Sequence, residues 1–498
     1  MLKYLMTGVA IVALVTPAAA QQARPARDGF YWLNELNRAA TVMVVETKIV
    51  PKPLGKTIAE SVEKVGIRAD ADKKLRSSDY LQVEPLLIEE GGPDVTRLHS
   101  GRSRQEIGAV TRRLTQREQV LKTMLSLDKA RASLLGFAAK YPDALVPAYT
   151  HGVQAQPISF GHWLLGYSEA LERDSQRLKA AYADVNRSAM GTGALGTSSF
   201  PVDRNRLAQL MGFEGVITNS FGANQIAPID TGVELASIAA SIAVTISTFT
   251  ADIQAQYRMS TPWIILEEGE LTGTSSIMPQ KRNPSGMTSL RIITGQVVGD
   301  TVTYLVKAHN TPAGMSDYKG DDSEQALKGA ASACDQLAAF IGELKFDPAR
   351  ALDEVNADYS VTTELADILQ REGEVPFRVG HHFASELVTF GRNARLRPSE
   401  IKYTDAQRIY ETAAKDFKIS VVKLPLTEAR FRQALSAENM VQSSKGLGGP
   451  QPAEVQRMLK EQQATLAKDS KWSQDKGAAL DAASKAMHEA FDKIRTGA

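Results

Sequence analysis

Leu235, Ile238, Ile242, Ile246, Phe249 and Ile253 recur at steps of three and four along TGVELASIAASIAVTISTFTADIQAQYR, residues 231–258. That spacing paints one stripe of a helix. The rest of the stretch is mostly Ala, Ser and Thr, small enough for neighbouring helices to approach closely. It also carries Glu234 and Asp252, which argue against a membrane span. A matching stripe, Met287, Leu290, Ile293, Val297 and Leu305, runs through 286–307 and stops before the HNTP punctuation at 309–312. The period predicts further helices over 33–66, broken at Pro51 and Pro53, and over 105–140, 157–185 and 323–345. Shorter ones follow in VTTELADILQ, HHFASELVTFG, DAQRIYETAAK and TEARFRQAL, and the Ala-, Lys-, Glu- and Gln-rich end at 452–496 reads as helical. Strand alternation is scarce, so the expected fold class is all-α, in three helical domains with a long central helix bundle. The expected boundaries are an N-terminal helical domain over 21–120, a central bundle over 121–345 and a C-terminal helical domain over 346–498.

The first twenty residues break this pattern. MLKYLMTGVAIVALVTPAAA has one early cation, Lys3, an apolar run too short to span a bilayer, and an Ala-x-Ala ending. These are the marks of a cleavable signal peptide over 1–20, and they predict a periplasmic or secreted protein with no membrane attachment after cleavage.

Composition narrows the partners. A net charge of +1 argues against a protein whose business is nucleic acid or an anionic membrane. The one cysteine, Cys334, permits no internal disulfide, and its setting, SACDQLAAF, reads as a helix face with a buried thiol. Cys/His spacing for a metal site is absent from the sequence.

Four segments carry candidate chemistry. RLHSGRSR, 97–104, places Arg97, Arg102 and Arg104 before a helix N-terminus, a candidate anion seat because guanidinium forks and free backbone N–H groups both attract carboxylates. Thr150 and His151 follow a proline in PAYTHGVQAQPISFGH, where a histidine could move a proton or orient a carboxylate. GTGALG, 191–196, matches G-x-G-x-x-G, but a helical run precedes it instead of a strand, so it reads as a flexible turn and not as a nucleotide site. Last, LTGTSSIMPQKRNPSGM, 271–287, sets Ser275 and Ser276 at the tip of a loop bent by Gly273 and Pro279, with Lys281 and Asn283 two residues apart. A flexible linker would explain the glycine and the prolines, but not that cation and amide. Together they suit a mobile lid that stabilises the charge formed when a proton leaves the carbon beside a carboxylate.

TSSIMPQKRNP resembles the signature G-S-S-x-M-P-x-K-x-N-P of the fumarase/aspartase superfamily. LHSGRSR, PAYTHGVQAQPISFGHWLLGYSEALERD and GTSSFPVDR are similar, in the same order, to segments of its argininosuccinate lyase branch. The resemblance covers roughly 95–310. It implies an all-α homotetramer, with each active site assembled from three subunits. It also implies reversible elimination of fumarate from an N-substituted aspartate, without metal or organic cofactor. By motif, Ser275 is the base that removes the Cβ proton, and Lys281 and Asn283 hold the carboxylates and the aci-carboxylate intermediate. Ser103, Arg104 and Thr150 bind the fumaryl half, His151 belongs to the proton-transfer network, and Arg204 is a further substrate contact.

The chain departs from the branch in four places. Gln105 stands where the branch has Asn, and Thr274 where it has the glycine before the serine pair. Thr288 stands where it has a glutamate that pairs with the histidine. The segment that grips the arginine half is replaced by MSDYKGDDSEQALKG, 315–329, with Asp321 and Asp322 of opposite charge. The expectation is therefore a carbon–nitrogen lyase with a rebuilt amine side, acting on a different N-substituted aspartate such as an aminopolycarboxylate of the ethylenediamine-disuccinate type. A catalytically silent binding protein on the same scaffold, and an exported lyase for a C–O bond or a cyclising substrate, are the rival readings.

Overall fold

The structure, a computed structural model, describes residues 27–497. The expected signal peptide over 1–20 lies outside the described residues.

Sixteen helices order the described chain. α1 (Gly29–Glu46), α2 (Lys52–Ala71) and α3 (Tyr80–Gly91) open it. Pro51 and Pro53 break the first pattern as the sequence predicts: Pro51 is the N-cap of α2 and Pro53 sits in its first turn, where a missing N–H costs nothing. α4 (Arg104–Lys140), α5 (Phe160–Val185), α6 (Arg204–Leu210), α7 (Ala227–Gln256), α8 (Ser285–Ala308) and α9 (Asp322–Gly342) form the middle. α10 (Pro348–Ala357), α11 (Thr362–Gly373), α12 (Phe377–Ala394), α13 (Tyr403–Asp416), α14 (Glu428–Ala434) and α15 (Ala437–Ser443) follow, before the long α16 (Pro452–Thr496).

α4, α5, α7, α8 and α9 pack lengthwise into one bundle. The stripe expected on α7 is buried, from Leu235 to Ile253. Small residues let α8 come close: a Cβ on Gly232 would lie 2.0 Å from the Tyr304 hydroxyl, which donates to the Pro228 carbonyl at 2.6 Å. The stretch Gly222–Gln256 is long and apolar enough to cross a membrane by length and composition, and half of its apolar window is buried against its neighbours in the bundle. Cys334 is fully buried in the same core, as its helix-face setting predicts.

The described residues hold three hydrophobic cores, one in the bundle, one among α1–α3, α6 and the start of α4, and one among α10–α15. They do not follow the chain in blocks. α16, grouped with 346–498 by the sequence, leaves that domain: Val455 and Leu459 join the bundle core, and Met487 and Phe491 join the N-terminal core. A buried ion pair between Arg131 and Asp469, 2.5 Å apart, pins its middle to α4, and Lys179 of α5 pairs with the same aspartate.

Strands are few and short. β1 (Leu145–Thr150) pairs with β2 (Val153–Ser159) in a hairpin that the sequence read as loop and the start of α5. β3 (Arg187–Ser188) pairs with β4 (Gly215–Val216). β5 (Ile264–Leu266), β6 (Gly273–Thr274), β7 (Arg282–Asn283) and β8 (Leu344–Phe346) complete the set, with β5 on β8 and β6 on β7.

Candidate active site

Ser103 is the N-cap of α4: its hydroxyl accepts the Glu106 amide at 3.3 Å. The two preceding turns sort the three arginines by fate. Arg97 donates to the Ile49 carbonyl at 3.3 Å. Arg102 turns inward, donating to Asn37 at 3.1 Å and lying over the Tyr80 ring, with its Nε and one Nη enclosed and unpartnered. The same ring stacks on His99 at 4.2 Å, and burial with the nearby Arg102 charge pushes that imidazole down to about 4. Arg104 faces solvent, as Arg97 does, and is loosely held by Asp79 at 3.4 Å. Of the exposed pair, Arg104 is the one that stands in the first turn of the 37-residue α4, beside its cap.

GTGALG has a structural role that the sequence did not reveal. The Glu106 carboxylate, 1% exposed, accepts the Gly191 amide at 3.2 Å and the Gly193 amide at 2.6 Å. Both glycines have positive φ, 73° and 60°, which turns their N–H groups toward one point. Burial raises the carboxyl to about 7 in spite of Arg102 and the two amides. The exposed part of the loop, 194–200, then lies against the 97–104 turn: a Cβ on Gly101 would sit 2.7 Å from the Ser198 hydroxyl. Arg204 secures the far side, giving Nε to the Met190 carbonyl and its two Nη groups to the Thr218 and Ile217 carbonyls at 3.0 and 2.6 Å. That guanidinium, expected at the substrate, is engaged with the loop backbone because three carbonyls converge on it.

Gln105, beside Arg104, accepts the Lys319 ammonium at 3.2 Å. Lys319 also donates to the Gly314 carbonyl at 3.1 Å, and burial next to Arg112 pulls its pKa down. The acids that gave 315–329 the opposite sign point elsewhere: Asp322 pairs with Lys307 at 2.9 Å and Asp321 bonds Gln325 at 3.1 Å. Lys319, beside Gln105, is a candidate site residue that sequence reasoning missed. Its only signal was a lone cation inside SDYKGDD.

Thr150 and His151 sit at the tip of the β1–β2 hairpin. Thr150 pairs with Val153, leaving His151 and Gly152 as a two-residue turn with φ of 54° and 75°, the signs a type I′ turn requires. Both side chains are exposed. The hairpin base is held by Gln154, which donates to the Val355 carbonyl at 3.1 Å and the Ser360 hydroxyl at 2.9 Å.

The signature loop is itself a minimal hairpin: Gly273 pairs with Asn283 and Thr274 with Arg282. Inside it the Ser275 hydroxyl accepts the Met278 amide at 3.2 Å and the Ile277 amide at 3.5 Å. Arg282 is drawn off to Glu268 at 2.8 Å, while Lys281 is exposed and has no ion pair among the described residues. Donors aimed at a hydroxyl oxygen favour its ionised form, and a free ammonium nearby adds to this.

One chain does not bring these segments together. α8 runs from the signature loop, where Arg291 bonds Gln254 at the end of α7, to the end where Lys307 meets Asp322. α4 begins at that second end, through Arg112 on the Lys319 carbonyl and Thr115 on Glu324. The 24 residues of α8, roughly 36 Å at about 1.5 Å per residue, therefore separate Ser275 from Ser103 and Arg104.

Comparison with known proteins identifies the family and the fold. A family described as Lyase matches residues 92–299, and the Argininosuccinate lyase C-terminal family matches 359–442. The argininosuccinate lyase of Methanoculleus marisnigri is 31% identical over 407 residues, 80% of this chain and 79% of that protein. That of a Chelativorans species is 30% identical over 87% of this chain and 89% of its own. Among solved structures, EDDS lyase in complex with formate superposes with a TM-score of 0.85 at 24% identity, covering 94% of this chain and 92% of that one. A variant of EDDS lyase with bound fumarate gives the same TM-score and coverage at 25% identity. The chain belongs to the argininosuccinate lyase branch of the fumarase/aspartase superfamily, and it is a carbon–nitrogen lyase that eliminates fumarate.

Proposed function

We propose that this lyase cleaves an N-substituted aspartate whose amine half carries a carboxylate, in active sites shared between copies of the chain in a homotetramer. Ser275 takes the proton from the Cβ of the aspartyl half. The electron pair moves into the adjacent carboxylate, giving an aci-carboxylate held by Lys281 and Asn283. Its collapse expels the amine and leaves fumarate. Ser103 and Arg104 of one chain and Thr150 of another hold the fumaryl carboxylates, and His151, at the tip of the same hairpin as Thr150, moves or orients the proton. Gln105 fixes Lys319, which meets the carboxylate of the amine half, as an aminopolycarboxylate of the ethylenediamine-disuccinate type would require. Arg204 acts through the loop it holds.

The observation that carries this reading is the Ser275 hydroxyl receiving two loop amides beside an unpaired Lys281. Association of chains is supported by the distance between the segments, and by the exposed apolar face of α8 at Ile292, Val302, Leu305 and Val306. The signal-peptide pattern of residues 1–20 supports export, with the enzyme acting outside the cytoplasm.

The test is ultraviolet absorbance of fumarate with a panel of N-substituted aspartates, matched pairwise with and without a carboxylate on the amine. Turnover restricted to the carboxylate-bearing members is expected. Turnover of members whose amine half lacks a carboxylate would overturn the substrate assignment. Turnover of argininosuccinate, whose arginine half also carries a carboxylate, with none of the aminopolycarboxylates would overturn the ethylenediamine-disuccinate type. No turnover by a folded tetramer would favour the silent binding protein.

A further inference from the structure

A cavity of about 1040 Å³ opens between the α1–α2 turn, α6 and the last turns of α16. None of the catalytic or substrate-binding residues above lines it. Its floor is apolar, with Val45, Val50, Leu210, Met487 and Ile494. Its rim is cationic: Lys48, Lys52, Lys56, Arg206 and Lys493 face only two acids, Glu46 and Glu489. Glu46 is already committed to Arg206 at 2.8 Å. Lys48, Lys52 and Lys493 have no acidic partner among the described residues, and Lys56 reaches only Glu60, at 4.0 Å. The 20-residue α2 also begins here, with no acidic residue in its first turn, so the positive end of its dipole adds to the lysines. Three ammonium groups left without counter-ions around an apolar trough are an unfilled complement of charge and oil.

We propose that this cavity binds a single-chain anionic amphiphile, a fatty acid. The carboxylate meets Lys48, Lys52 and the start of α2, and the alkyl chain lies along Val45, Leu210, Met487 and Ile494. The site is separate from the lyase chemistry and does not depend on its substrate.

Fluorescent cis-parinaric acid titrated into the whole protein tests this. Saturable one-to-one binding, displaced by dodecanoate, is expected. Lys48→Glu together with Lys52→Glu should weaken it at least about tenfold, the effect of removing one good charge interaction. Ala486→Trp, on an exposed lining position, should block the trough, and both variants should keep wild-type circular dichroism and lyase activity. Absence of saturable binding, or equal binding by the charge-reversed protein, would overturn the proposal. So would 1-dodecanol competing as well as dodecanoate, because the lysines would then be idle. Dodecyl phosphate displacing the probe far better than dodecanoate would overturn the fatty-acid assignment in favour of a phospholipid head group.

Discussion

Glu106 accepts the amide of Gly193 at 2.6 Å from inside the protein, so the first turn of α4 and the 191–200 loop are fastened at one carboxylate. Three residues earlier on the same turn, Ser103 caps the helix that presents Arg104. The 191–200 loop and the candidate anion seat of α4 therefore share an anchor.

That anchor has a measurable pH signature. Burial raises the Glu106 carboxyl from about 4.5 to about 7. The unfolded chain ionises this group first, so between those values the native state holds more protons than the unfolded state. Stability from this residue is fully present below about 4.5 and is lost as pH rises through 7, by roughly 3 kcal/mol. Denaturant unfolding from pH 5 to 8 should show wild type losing stability relative to Glu106→Gln across that window. Parallel pH profiles for the two proteins would contradict the assignment.

Ser275→Ala should lower kcat by at least about a thousandfold, since it removes the proposed base and the oxygen on which the loop amides converge. Secondary structure and sedimentation should not change, because among the described residues the hydrogen bonds of the Ser275 hydroxyl stay within its own loop. Retention of a tenth of the activity would mean that another group takes the proton.

Lys319→Met should raise KM for substrates with a carboxylate on the amine half by about ten- to a hundredfold, the range for a lost charge-assisted hydrogen bond. Substrates with a neutral amine half should change little. Competition assays with paired amines separate the two cases, and an equal loss for both would place Lys319 in the scaffold.

Asp469→Asn should destabilise the protein by up to about 3 kcal/mol, because Arg131, 0% exposed, would keep only Glu172 at 2.8 Å as counter-ion and Lys179 would lose its carboxylate. The loss should appear as early exchange of α16 amides in hydrogen exchange, ahead of α7. A change below about 1 kcal/mol in denaturant unfolding would show that α16 is held by its apolar contacts alone.

Much of the fold was legible because helical periodicity is local. The stripe on α7, the first part of the one on α8 through Met287, Leu290 and Val297, the proline break before α2 and the buried Cys334 all follow from residues within a few turns of each other, whereas Leu305, expected on the α8 stripe, is exposed. The signature loop was legible for a related reason: its glycine, prolines, serines, lysine and asparagine are contiguous, and they fold on each other as β6, β7 and the turn between them. The β1–β2 hairpin was not, since two prolines and a His-Gly turn mask its alternation.

The sequence by itself determined a predominantly helical lyase chain and the loop that carries the family signature. Tertiary structure decided which arginine of RLHSGRSR turns inward, and that Glu106 gathers Gly191 and Gly193. It decided too that Lys319 turns to Gln105 while Asp321 and Asp322 turn away, that Arg204 is absorbed by three carbonyls, and that α16 returns to the other two cores. The reason is physical. Helix formation depends on neighbours three and four positions away, whereas the fate of a charge depends on which buried groups remain unpaired after packing, and those lie up to hundreds of residues distant in the chain.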